Sequence, residues 1–220
     1  METVLGLLFL GFFLGIMHAF EADHMIAVSS LVAKTKNIKK SSLLGAIWGV
    51  GHTTMLLIVG VVVLATKAVI PQNIALSFEF IVGIMLVVLG LSNIFGFKHL
   101  HKHVHTAREH LHLHFHKSSH KHRHEIKSLA VGMVHGLAGS AALTLLVLAT
   151  VESIYHGIFY ILIFGFGSVL GMFIVSSLIS LPFMAIKNFE KVSRGIVTFA
   201  GAIGVVFGFI VMAEVYLSLA

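Results

Sequence analysis

Gly15-Ile16-Met17-His18-Ala19-Phe20-Glu21-Ala22-Asp23-His24-Met25 sets two imidazoles and two carboxylates inside a segment that is otherwise apolar from about Val4 to Ala33. Ionisable side chains at membrane depth are costly unless paired or ligating, so each marks a functional site by default. Histidine together with Asp or Glu is also a donor set for a divalent transition metal. A lone histidine here would read as a helix-packing residue. His18, Glu21, Asp23 and His24 within seven positions read as a metal site. On a straight helix His18 and His24 stand roughly 9 Å and about 120° apart, too far round to close on one ion. The expectation is a helix that opens near Ala19–Ala22, the usual device at transporter binding sites.

Outward from this stretch the composition agrees. Of 220 residues, 57% are hydrophobic and 11% charged, which is a membrane composition. The expected fold is an all-α integral membrane protein. Six segments are long enough to span: about 4–33, 43–66, 74–96, 128–150, 157–182 and 195–217, each meeting the roughly 20 helical residues a bilayer core requires. Pro71 falls between spans two and three, and Pro182 at the end of span five. No cysteine is present, which excludes disulfides, thiolate metal sites and thiol redox chemistry. The first segment lacks a basic n-region, so no cleavable signal peptide is expected.

Lysine and arginine set the orientation. Lys34, Lys36, Lys39 and Lys40 follow span one. Lys98, Lys102, Arg108, Lys117, Lys121, Arg123 and Lys127 follow span three, and Lys187, Lys191 and Arg194 follow span five. These fourteen lie on one side, against Lys67 alone on the other. The basic side is expected to be cytoplasmic, with both termini outside a multi-pass plasma-membrane protein. The same distribution explains a pI near 9.7 without nucleic acid as a partner. The expected partners are the lipid bilayer and a transition-metal ion.

The two halves read as copies. Gly15-Ile-Met-His18-Ala aligns with Gly132-Met-Val-His135-Gly, Gly49-Val-Gly51-His52 with Gly165-Phe-Gly167-Ser168, and Gly83 and Gly90 with Gly201 and Gly208. An odd number of spans per copy makes the second inverted, which puts a substrate site at the midplane interface. The division is 1–96 for the first three-helix repeat, 97–127 for a histidine-rich cytoplasmic loop and 128–220 for the second repeat. Counted from the cytoplasmic ends, His24, His52 and His135 all lie roughly 10–14 Å deep. His18, His24 and His52 are the leading ligands. Asp23 is a ligand or the acceptor that orients an imidazole. Glu21 and His135 are further ligand candidates. Thr53 and Ser140 offer hydroxyls to a partly hydrated ion.

The His-x4-Asp-His pattern from His18 to His24 resembles the signature of the nickel/cobalt permease family. Gly51-His52-Thr53 looks like that family's second Gly-His-Ser/Thr motif. The stretch His135-Gly-Leu-Ala-Gly-Ser-Ala-Ala is similar to six-span permeases of the urease-accessory type in the same wider group. The resemblance implies nickel or cobalt as transported substrate, with no permanent cofactor and no enzymatic activity. The donor set by itself also suits zinc and copper(II).

The loop 97–127 carries His99, His101, His103, His105, His110, His112, His114, His116, His120, His122 and His124. Histidine-rich tracts bind metals, so the loop is expected to capture the ion weakly on the cytoplasmic side, where a metal acceptor could take it over. The leading function is secondary transport of nickel, or cobalt, into the cytoplasm. Efflux through the same site is the alternative. An intramembrane zinc hydrolase is a weaker one, because no His-Glu-x-x-His motif is present.

Overall fold

The computed structural model describes residues 2–33, 35, 37–95, 120–150, 153–186 and 189–219; the side chains of 2–5, 7, 120–123, 140–150 and 190 lie outside that description. Every element among the described residues is helical: α1 (Glu2–His18), α2 (Ala22–Val32), α3 (Ile38–Thr66), α4 (Gln72–Ile94), α5 (His120–Thr150), α6 (Ile154–Ala185) and α7 (Glu190–Leu219). The helices α3, α4, α6 and α7 are long and apolar enough to cross a membrane, and α1 and α2 are shorter apolar helices. The chain is a multi-pass membrane protein by these lengths. The first expected span is two helices, α1 and α2, separated by three residues.

Local chemistry sets the ends. The Asn37 side chain accepts the Lys40 N–H at 3.2 Å and starts α3. Lys67 ends it in a left-handed conformation at φ 53°, and Pro71 stands just ahead of α4. The sequence puts Pro182 at the end of span five; α6 continues past it to Ala185, so the proline occupies the last turn. There it cannot donate to the carbonyl of Leu178, four residues back.

The bundle faces its large apolar residues outward as well as inward. Phe166 and Phe199 are 63% and 67% exposed, as a lipid-facing surface requires. The inner core joins Val28 and Val32 of α2 to Trp48 of α3, Leu86 of α4, Val131 of α5 and Met172 of α6.

Backbones approach closely where glycine permits, and the contacts come in matched pairs. A Cβ on Gly15 would strike the Phe164 carbonyl, and one on Gly132, 117 positions later, would strike the Trp48 carbonyl. Gly51 abuts the Leu129 carbonyl, and Gly167, 116 positions on, abuts the Phe12 carbonyl. Gly83 and Gly208 each lie against the other's carbonyl, as do Gly90 and Gly201. These contacts lock α1 to α6, α3 to α5, and α4 to α7, while α3 and α6 pack along their length. The result brings the α1–α2 break, the middle of α3 and the middle of α5 to one place.

The expected histidine-rich loop falls largely outside the described residues, from His99 through His116. His120 and His122 belong to the first turn of α5, with side chains outside the description. His124 is exposed on the same helix. Residues 120–127 are therefore helical, continuous with the apolar part of α5.

Candidate metal centre

The helix opens at Ala19–Glu21 without glycine or proline. The N–H groups of Ala19, Phe20 and Glu21 reach back only three residues, to the carbonyls of Ile16, Met17 and His18 at 3.2, 2.9 and 3.1 Å. Glu21 then turns extended, at φ −62° and ψ 150°, and α2 starts with Ala22. Two side chains hold the opening. The Glu21 carboxylate accepts from His18 Nδ1 at 2.9 Å. Asp23, in the first turn of α2 where the helix dipole favours an anion, accepts the His24 backbone N–H at 2.7 Å. The change of direction brings the His18 and His24 rings to 4.4 Å between centroids, which a straight helix would keep well apart.

Asp23 fixes two imidazoles at once. Its Oδ1 accepts from His24 Nδ1 and its Oδ2 from His135 Nε2, both at 2.8 Å. The carboxylates thereby set the tautomers. His18 and His24 donate through Nδ1 and present Nε2 lone pairs; His135 donates through Nε2 and presents Nδ1. His24 Nε2, His52 Nδ1 and His135 Nδ1 are buried with no hydrogen-bond partner among the described residues. A buried nitrogen lone pair left unsatisfied is costly, and a metal ion satisfies it. His18 Nε2 and His52 Nε2 face each other at 3.3 Å. Ligand atoms of His18, His24 and His52 lie within 4.8 Å of one another, as do those of Asp23, His24 and His135. His24 belongs to both groups.

The surroundings are dry on one side and open on the other. The Trp48 ring lies 5.5 Å from both His24 and His135, and Phe164 lies 5.5 Å from His18. Gly139 faces His18 and His52 with no side chain in the way. A cavity of about 590 Å³ reaches His18, Glu21, Asp23, His24 and His135 between walls formed by Leu14, Leu56, Val82 and Phe164. His24, His52 and His135 are almost wholly buried, so an ion at the cluster would be stripped of most of its water.

Five of the expected residues thus meet around one point: His18, Asp23, His24, His52 and His135. Glu21 joins at the edge through His18 and is 55% exposed. Thr53 does not line the cavity; its hydroxyl donates to the Gly165 carbonyl at 3.1 Å and ties α3 to α6. A threonine one residue after His52 faces a different side of α3, 100° round. The Ser140 side chain lies outside the described residues. Two ionisable residues lining the cavity are absent from the expected set: Glu79 of α4 and Glu214 of α7. The signal was present, since each is a carboxylate within an expected apolar span.

Comparison with known proteins gives a family and a relative. Residues 50–210 match the family model described as the cytochrome c biogenesis protein transmembrane region, and that model is distinct from the nickel/cobalt permeases. The chain is 44% identical to the urease accessory protein UreH of Bacillus sp. (strain TB-90) over 205 residues, covering 93% of this chain and 90% of the relative. No solved structure matches.

Proposed function

The chain belongs to the family of the cytochrome c biogenesis protein transmembrane region, and we propose that within it this protein is a secondary transporter carrying a divalent transition metal, nickel or else cobalt, into the cytoplasm. The observation that carries the reading is the pair of interlocked donor groups at the α1–α2 break, His18/His24/His52 and Asp23/His24/His135. Imidazole and carboxylate oxygen at a broken helix suit a borderline dication. The relative's accessory role to urease supports nickel as cargo. With no cysteine, the chain's own residues can run no thiol–disulfide step.

The matched glycine contacts, 116 or 117 positions apart in the α1–α6 and α3–α5 pairs, support two inverted three-helix repeats, 1–96 and 128–220, with the site between them. The repeat is asymmetric where it counts. His135 stands opposite His18 and Ser168 opposite His52, and the positions matching Asp23 and His24 are Ser140 and Ala141. One cluster per chain follows, with His135 as the second repeat's contribution. Fourteen basic residues on one side support a cytoplasmic histidine-rich loop and termini outside.

Nickel, cobalt and zinc uptake into proteoliposomes tests the reading. The expected result is saturable nickel uptake by the full chain and none by His24→Ala. Nickel accumulation that is equal in the two, or absent from both, contradicts it. Cells carrying the gene should gain nickel; cells that lose it and become resistant would reverse the direction.

A further inference from the structure

The cavity that reaches the imidazoles is also lined by two carboxylates that the ligand set does not use. Glu79 and Glu214 line it together with His18, Asp23, His24 and His135. Glu79 stands roughly 10 Å along α4 from Gln72, and Glu214 roughly 8 Å from the C-terminal end of α7 at Leu219. Both ends lie opposite the basic loops. The antiparallel contact between Gly83 and Gly208, with Met212 beside Gly83, brings the two glutamates to the same level on facing helices. Neither side chain has a cationic or hydrogen-bonding partner among the described residues. Two unpartnered carboxylates lining one cavity within apolar spans are costly as anions, and a visiting cation relieves that cost.

A second, independent feature points to the same ligand. At the inner end of this cavity His24 is 1% exposed and its Nε2 has no partner. One cavity is therefore lined both by a pair of exposed hard oxygen donors and by a buried imidazole whose Nε2 has no partner. Charge explains why both are needed. A ring that ligates through its lone pair brings no negative charge, and Asp23 already accepts from two rings. A dication leaving water needs compensation before it can exchange water for nitrogen.

We propose that Glu79 and Glu214 form a receiving site that holds the hydrated dication by its waters and charge before transfer to His18, His24 and His52. This deepens, and rests on, the transport reading above. Oxygen donors suit the partly hydrated ion, and imidazole suits the stripped one. A pair of like charges at a low-dielectric mouth concentrates cations and speeds capture by about tenfold or more, an effect that salt weakens. The two glutamates set the concentration at which transport saturates, and the imidazole cluster sets whether it occurs.

The test is initial nickel uptake into proteoliposomes by the full chain, Glu79→Gln, Glu214→Gln, the double Gln variant and the double Asp variant, each monodisperse in detergent. The expected result is a half-saturating concentration raised about tenfold in the double Gln variant, a maximal rate within about twofold of the parent, and loss of the salt dependence. The double Asp variant should recover most of the shift. An unchanged half-saturating concentration in the double Gln variant overturns the proposal while leaving the transport reading intact. So does a fall in maximal rate with half-saturation unchanged, which would place the glutamates in coupling or structure. Absence of uptake by the full chain overturns both readings together.

Discussion

Asp23 on α2 and His135 on α5, 112 residues apart, meet at 2.8 Å between Oδ2 and Nε2. The other oxygen of the same carboxylate holds His24. One side chain therefore aligns a ring from each half of the molecule, and its loss should be felt at both. Asp23→Asn keeps the size of the group but cannot accept two ring N–H donors through equivalent oxygens. Nickel affinity should drop about 10–100-fold, the usual cost of losing an acceptor behind a metal-ligating histidine. Calorimetric nickel titration of the purified variant checks it, with thermal unfolding expected to stay close to the parent.

Adjacent positions on α3 should behave in opposite ways. His52→Ala removes a buried donor and should abolish uptake. Thr53→Ala removes only the hydroxyl that donates to Gly165, costing about 1 kcal/mol of stability with uptake retained. Thermal stability and transport measured together separate the two. A transport loss in Thr53→Ala with normal stability would return that residue to the metal path.

Gly15 and Gly132 make the same contact on opposite sides of the bundle. Leucine at either would push its side chain into a neighbouring backbone, since helix spacing there rests on the missing Cβ. Gly15→Leu and Gly132→Leu should each destabilise the protein by about 1–3 kcal/mol or prevent its assembly. Gly195, with open space around it, should accept alanine with little change. Detergent-unfolding curves for the three variants give the comparison. Tolerance of leucine at one of the paired glycines alone would argue against matched halves.

Removing the histidine-rich stretch should leave translocation working. Deletion of residues 99–124 takes away eleven histidines and leaves His18, Asp23, His24, His52 and His135 in place. Uptake should continue, with total metal retention or its regulation altered. Complete loss of uptake would place the loop in the pathway itself.

Much of this was legible in the residues, for physical reasons. A bilayer forces long apolar runs, so α3, α4, α6 and α7 could be read as spanning helices. The six-residue gap between His18 and His24 demanded a break in an otherwise strong helix, and the break lies at Ala19–Glu21. No glycine or proline marks it; the carboxylates of Glu21 and Asp23 hold it open, which only the three-dimensional arrangement reveals. Thr53 was misplaced because sequence adjacency to His52 says nothing about which side of α3 a residue takes. His135 could be assigned a depth from the sequence, but not a partner. That partner proved to be Asp23, reached through the crossing of α3 and α5 that Gly51, Gly132 and Gly136 permit. Glu79 and Glu214 obeyed the rule that singled out His18 and Asp23, and their meeting depended on how α4 and α7 pack.

The most direct test is nickel X-ray absorption on the protein lacking residues 99–124, so that loop histidines contribute nothing. The account predicts one nickel per chain with several imidazole nitrogens at about 2 Å, and a first shell that loses imidazole in His24→Ala. A loopless protein that binds no nickel, or a spectrum unchanged by His24→Ala together with His52→Ala, would contradict it.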